Sequence, residues 1–420
     1  MKIRKGFLIR ALLLSVLGTA VFLMGFENGY SAMGYRYLKD RNYDKAIESF
    51  SLANNKSGLG LLFLKRRMYA QAEDEFNQIA DRKGLGLVYL QKREFDKALK
   101  AFRSENDHAG IGLALCSQHK YKQALEELKQ HTDFTASAHA YMGMGQYRKA
   151  IQLFDRANDY SGLGLAYLSK GDRKKAKEYF KRNKDYSGLG LVALRQGDFK
   201  LAREYFQQEN DIDGMGLLAL NRGQYTLALK YFKQTNDKSG IGKVYFKQAN
   251  YALAAKYFKQ ANDDDALGDM YFSLRAFAQA RDCFLKAGNK VKALQSVRKM
   301  KNNEQSIKYA QQAISEGEMV PELTLQLGEI YRESGQYAEA EKQFRTVMAM
   351  DEMEEDGLFY LARLQFDEAD YPAAISCYQT LMSKYPDTRY LVDAKKSIKS
   401  IETLVCLINK KTNKANEGRI

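Results

Sequence analysis

The sequence predicts an all-α protein: a right-handed α/α superhelical solenoid of helix-turn-helix repeats, preceded by an N-terminal membrane segment. Three observations predict this fold. A block of 26 residues recurs ten times without insertion from Ser31 onward, and self-similarity at a fixed period of this size marks a stacked-repeat architecture. The only three prolines, Pro321, Pro372 and Pro386, fall late in the chain, leaving a long stretch free of the residue that breaks helices. One apolar run near the N-terminus stands apart from a chain whose mean hydropathy is −0.51. At 420 residues, a single globular core would be unusual, because cores stop growing and split.

In chain order, Lys2, Arg4, Lys5 and Arg10 precede the run ALLLSVLGTAVFLMGF at residues 11–26. Sixteen helical residues reach roughly 24 Å, short of a ~30 Å hydrocarbon core. Counting from Phe7 and letting Arg10 snorkel gives the needed length. Gly18-Thr19-Ala20 has the small-residue pattern of a signal-peptidase site, but cleavage there would expose VFLMGF. The expectation is an uncleaved signal anchor that holds the membrane through residues 7–26. The basic tail then places the bulk of the chain outside the cytoplasm, in the periplasm if the source is bacterial. Arg36, Lys39, Arg41 and Lys45 just beyond the run weaken that asymmetry.

The ten units begin at residues 31, 57, 83, 109, 135, 161, 187, 213, 239 and 265. The sixth, residues 161–186, reads SGLGLAYLSKGDRKKAKEYFKRNKDY. Its sixteenth position, Ala176, is alanine in every unit, and its twentieth, Phe180, is phenylalanine in all but one, where Leu128 stands. The fourth, Gly164, is glycine in all but one, where Ala138 stands. Leu163 opens an apolar run that Gly171 ends, as a glycine ends a helix. A second helix near residues 173–184 puts Ala176 and Phe180 four apart on one face. Alanine and glycine let helices approach closely, and the aromatic fills the space between units. The linker Asn158-Asp159-Tyr160-Ser161-Gly162 suits a chain reversal, with the Ser161 position capping the next helix.

The pattern Leu163-Gly164-x2-Tyr167-x3-Gly171-x-Arg173-x2-Ala176-x3-Phe180 resembles the tetratricopeptide repeat, with the same intervals between signature positions. That family's unit has 34 residues, so this is a shortened form. Leu327-Gly328, Tyr331, Gly335, Tyr337, Ala340 and Phe344 resemble the full-length unit. A second full-length copy follows with Leu361-Ala362, Ala369, Tyr371, Ala374, Tyr378 and Pro386. The resemblance implies a superhelical surface that binds proteins or peptides and performs no catalysis.

Five segments are expected: the anchor at 1–30, ten short repeats at 31–290, a degenerate linking helical pair at 291–317, two standard repeats at 318–387, and a capping helix with a polar tail at 388–420. Units spaced ~10 Å apart would give the array a length on the order of 100 Å. The fifth position is leucine in six units (Leu61, Leu87, Leu113, Leu165, Leu191, Leu217), making the first helix apolar all round. Either the superhelix winds tightly and closes its own groove, or it offers an apolar channel to a partner helix.

Charge divides the chain. Net charge is +15, yet residues 316–387 carry 16 acids against 5 bases. A basic array joined to an acidic module suggests surfaces with different partners. Cys116, Cys283, Cys377 and Cys406 lie too far apart for a disulfide framework or zinc motif. His108, His119, His131 and His139 fall within 32 residues but at unrelated repeat positions, so stacking is not expected to gather them around a metal. Asp263-Asp264-Asp265 with Asp269, and Asp211-Ile212-Asp213-Gly214, sit where helix caps belong and lack the acid a calcium loop needs at its twelfth position. The Tyr-Phe pairs, such as Tyr179-Phe180 and Tyr231-Phe232, place phenylalanine in the core and tyrosine at its boundary, which argues against nucleic acid. With no phosphate loop, nucleophile elbow or metal helix, no enzyme, cofactor or metal is expected. The expected role is a membrane-anchored scaffold for other proteins, assembling or positioning a cell-envelope complex for secretion, motility or wall synthesis. The alternative is electrostatic binding of an anionic polymer or membrane surface by the basic array.

Overall fold

The computed structural model describes residues 29–417 apart from 41, 130, 132, 316–320, 351–352, 387 and 389. Its described elements are 27 helices, and the chain divides into two compact units, Met1–Asn289 and Lys290–Ile420.

In the first, each 26-residue repeat is a pair of antiparallel helices. Repeat 6 shows why. Its first helix, Tyr160–Lys170, opens on Asp159, whose carboxylate accepts from the Gly162 amide at 2.8 Å. It closes on Gly171, which adopts a left-handed φ of 101°. The second helix, Arg173–Arg182, opens on Asp172 in the same way. The cap therefore lies two residues before the expected Ser161. Aspartate takes that role because its side chain reaches back to the third following amide. Ser161 instead donates to Asp185, the cap of the next repeat, at 2.9 Å.

Stacking rests on one recurring contact. Phe180 is fully buried between Gly164 of its own repeat and Gly188 of the next. A methyl group on either glycine would stand 2.5 or 2.4 Å from the ring, closer than carbon atoms can approach. Phe50, Phe76, Phe102, Phe154, Phe206, Phe232, Phe258 and Phe284 are equally buried, as is alanine at position 16 throughout. Leu163 is fully buried beside them. Each repeat thus completes its core only against its neighbours, the defining property of a solenoid.

The array coils back on itself. Arg67 of repeat 2 meets Asp213 of repeat 8 at 3.2 Å, and Arg93 of repeat 3 meets Asp263 of repeat 9 at 3.1 Å. His119 of repeat 4 lies 3.8 Å from Asp265 of repeat 10. Repeat n therefore faces repeat n + 6, and six repeats make one turn. The expected length of about 100 Å is a contour followed around the coil.

In the second compact unit, the helix pair Lys290–Lys299 and Asn303–Ser315 precedes two longer hairpins, Pro321–Glu333 with Tyr337–Met348 and Glu354–Asp367 with Tyr371–Lys384. Gly328 packs on Phe344, where an added methyl would come within 2.6 Å. Ala340 is fully buried and Tyr331 nearly so. The last helix, Leu391–Glu417, takes in most of the stretch expected to be a polar tail.

The membrane anchor is not supported. Residues 1–28 lie outside the described residues, and among the described residues no helix is long and apolar enough to cross a membrane. The physical weakness was visible in the run itself. Sixteen residues fall short of the ~20 that a spanning helix needs, and the missing length had to be taken across Arg10.

The aromatic clamp yields an expected outcome. Phe206→Ala should destabilise the array by about 3–5 kcal/mol. Gly190→Val, which drives a branched side chain into the same ring, should destabilise it comparably. Urea denaturation followed by far-UV circular dichroism measures both, and a change under 1 kcal/mol in either would contradict the clamp.

Candidate interaction surfaces

The array has an inner column and an outer face. On the inner side, Leu61, Leu113 and Leu165 are buried, while Leu87, Leu191 and Leu217 are partly covered. Position 9 fastens neighbouring first helices. Lys65 donates to the Leu38 carbonyl at 3.1 Å, and Arg195 donates to the Leu168 carbonyl at 2.9 Å. Burial, with Arg173 nearby, lowers the pKa of Arg195.

The outer face is cationic and aromatic. In repeat 6 the Arg182 guanidinium lies 4.2 Å from the centroid of Tyr160, which stacks on Tyr179. Tyr179 stacks on Tyr167 at 5.3 Å with planes 5° apart, and Lys175 covers Tyr167 at 5.2 Å. Burial raises both Tyr167 and Tyr179 above the ordinary phenol range. Repeat 5 varies the same theme, with Arg156 over Phe134 and Lys149 over Tyr141, and Tyr141, Lys149, Leu153 and Arg156 line an open cleft there. Lys174, Lys181 and Lys184 are exposed nearby.

The acidic module neutralises part of its own charge. Arg332 bonds Glu329 at 2.9 Å and also Asp367. Arg363 reaches Glu329 at 3.4 Å, and Arg298 pairs with Glu333 at 2.9 Å. Lys384 and Tyr385 both bond Glu354, which together hold its carboxyl below the usual range. A ladder of alternating sign therefore crosses successive hairpins.

The structure revises the reading of the histidines. His108 and His131 do come together, their rings stacked 3.4 Å apart, with Glu127 2.6 Å from His108 Nδ1. His108 is the first residue of the first helix of repeat 4, His108–Ser117, and His131 follows its second, Tyr121–Leu128. Antiparallel pairing brings those two ends together, a step that counting repeat positions overlooked. No group of three metal-ligating side chains occurs among the described residues. His139 is fully buried against Phe154, which pushes its pKa down to about 3. Burial pushes the Cys116 thiol up to about 12. Asp211 and Asp263 cap helices through the Gly214 and Ala266 amides.

Two stretches of the sequence match tetratricopeptide repeat models, residues 325–388 and residues 160–182. The chain carries tetratricopeptide repeats. No curated protein matches it. Among solved structures, the yeast Tom70 crystal structure is similar with a TM-score of 0.47 at 13% identity, covering 91% of this chain and 98% of that one. The APC/C hetero-tetramer Cut9-Hcn1 is similar with a TM-score of 0.38 at 14% identity, covering 93% and 81%. Tetratricopeptide repeats mediate protein–protein interactions and are typically non-catalytic, so protein partners are the coarse functional assignment.

Buried His139 predicts a pH dependence. A neutral imidazole held inside contributes stability that is complete above its ordinary pKa near 6.5 and drains away as the pH falls from there towards about 3, because the unfolded chain takes the proton first. Replacing it with an apolar residue removes this pH-dependent contribution. Between pH 7 and 4, stability should fall less steeply in His139→Leu than in the parent chain, as read by urea midpoints, and parallel curves would refute the assignment.

Proposed function

We propose that this tetratricopeptide protein is a scaffold that holds other proteins on the outside of its array. Support comes from the six-repeat turn, which sets successive turns edge to edge and leaves the outer face as the continuous exposed surface. The partner segments that fit are acidic and extended or helical. The Arg182–Tyr160–Tyr179–Tyr167–Lys175 stack offers fixed cations beside flat aromatic faces, and fixed groups lose little entropy on binding. The acidic module, with Arg332, Arg345, Arg363 and Lys384 engaged in pairs, suits a second partner of opposite charge. An envelope role loses its motive once the anchor is withdrawn.

A second reading, binding of an anionic polymer, is favoured by the basic balance of the array. Salt separates the two. Polymer binding releases counterions, so its affinity falls steeply and linearly on a logarithmic salt scale, whereas docking on aromatic faces changes little.

Partners captured by crosslinking to the full-length chain provide the test. Lys175→Glu with Lys181→Glu and Arg182→Glu should weaken their retention about tenfold, equivalent to ~1.4 kcal/mol, with helix content unchanged. Unaltered retention would remove the outer face from the proposal.

A further inference from the structure

The contacts between successive turns involve residues that depart from the repeat on both sides. In repeats 2–10, position 11 ends the first helix in a left-handed turn. Repeats 5–8, which face no later repeat of the array, fill it with Gly145, Gly171, Gly197 and Gly223. Repeats 2–4 place Arg67, Arg93 and His119 there at φ 57°, 60° and 61°. A side chain in this conformation costs about 1–2 kcal/mol relative to the right-handed alternative. Ala249 and Arg275 tolerate it without a described cross-turn contact, but in repeats 2–4 each of the three side chains reaches repeat n + 6.

The facing side departs in step. Position 1 is aspartate only in repeats 8 and 10, as Asp213 and Asp265, which meet Arg67 and His119. Repeat 9 keeps Ser239 there. It donates at 2.6 Å to the buried carboxylate of Asp263, and Asp263 meets Arg93. Burial alone would raise Asp263, yet Arg93, Lys243 and its hydrogen bonds hold it below the ordinary carboxylate range. Asn236 and Asn262 donate to the carbonyls of Arg67 and Lys92 at 3.0 and 2.8 Å. In repeat 10 the equivalent position is Gly288, where a methyl group would fall 2.0 Å from the Gln118 carbonyl oxygen.

We propose that this seam is a latch holding the array wound, and that the wound and opened arrays are two states of one fold. The described seam contacts are polar and carried by turns and by the first turns of helices. The phenylalanine core joins repeat n only to repeat n + 1, so parting the turns exposes none of it. Every repeat can stay folded while the coil loosens, and loosening uncovers the edges of the first helices.

The test uses the full-length chain. Arg67→Glu with Arg93→Glu should enlarge the radius of gyration and maximum dimension in solution scattering. It should also accelerate hydrogen exchange at residues 66–68, 92–94, 235–237 and 262–264, with far-UV ellipticity unchanged. Gly288→Ala, acting through backbone crowding alone, should loosen repeats 4 and 10 in the same assay. The swap Arg67→Asp with Asp213→Arg should restore protection around both positions. Parent-like dimensions and exchange in both loosening variants would overturn the latch. So would loss of helix in the double variant, which would make the seam a requirement for folding rather than a closure.

Discussion

The packing of one phenylalanine against two glycines is the constraint on which the array depends. It fixes the separation of neighbouring hairpins at the contact distance of a ring on bare backbone, and it repeats with the sequence. Every other feature of the array follows from how identical junctions add up. Since the helices are short, their propensity alone is too weak to hold them. The junction supplies the tertiary packing that keeps each one helical.

Shortening matters as much as packing. A 26-residue unit has helices of about ten residues, where the hairpins of the acidic module reach fourteen. With small residues at both sides of the ring, these junctions bring the chain around in six steps. A coil that tight brings its own edges together and gives the turns residues a tertiary role that they lack in an open solenoid. Arg67 and Arg93 then act as structural residues, although by type and position they would pass for solvated surface charges.

Legibility in the sequence followed the range of the interaction. Ala176, Phe180 and Gly164 were evident because each is set by the adjacent repeat and recurs at a fixed interval. The caps were partly evident. The linker composition announced a cap, but choosing Asp159 over Ser161 needed the start of the helix to within two residues. The stacking of His108 on His131 was open to anyone who paired the ends of a hairpin, and counting positions within a unit hid it. The seam was out of reach because it joins residues 146 to 170 apart, and their meeting depends on a pitch that no local pattern encodes. A faint trace existed in the alternation of glycine with arginine at position 11. The apolar run at residues 11–26 misled for the opposite reason, since hydrophobicity was read without enough length behind it.

The register of six has a consequence for how such an array can change over time. In an open solenoid, duplicating or losing one copy lengthens or shortens the molecule and little else. Here, excising one of repeats 5–7 would slide Arg67 from Asp213 of repeat 8 towards repeat 9, and would take His119 out of register with Asp265. The turn-to-turn pairing thus works as a ruler, tying the number of copies to the register of the coil.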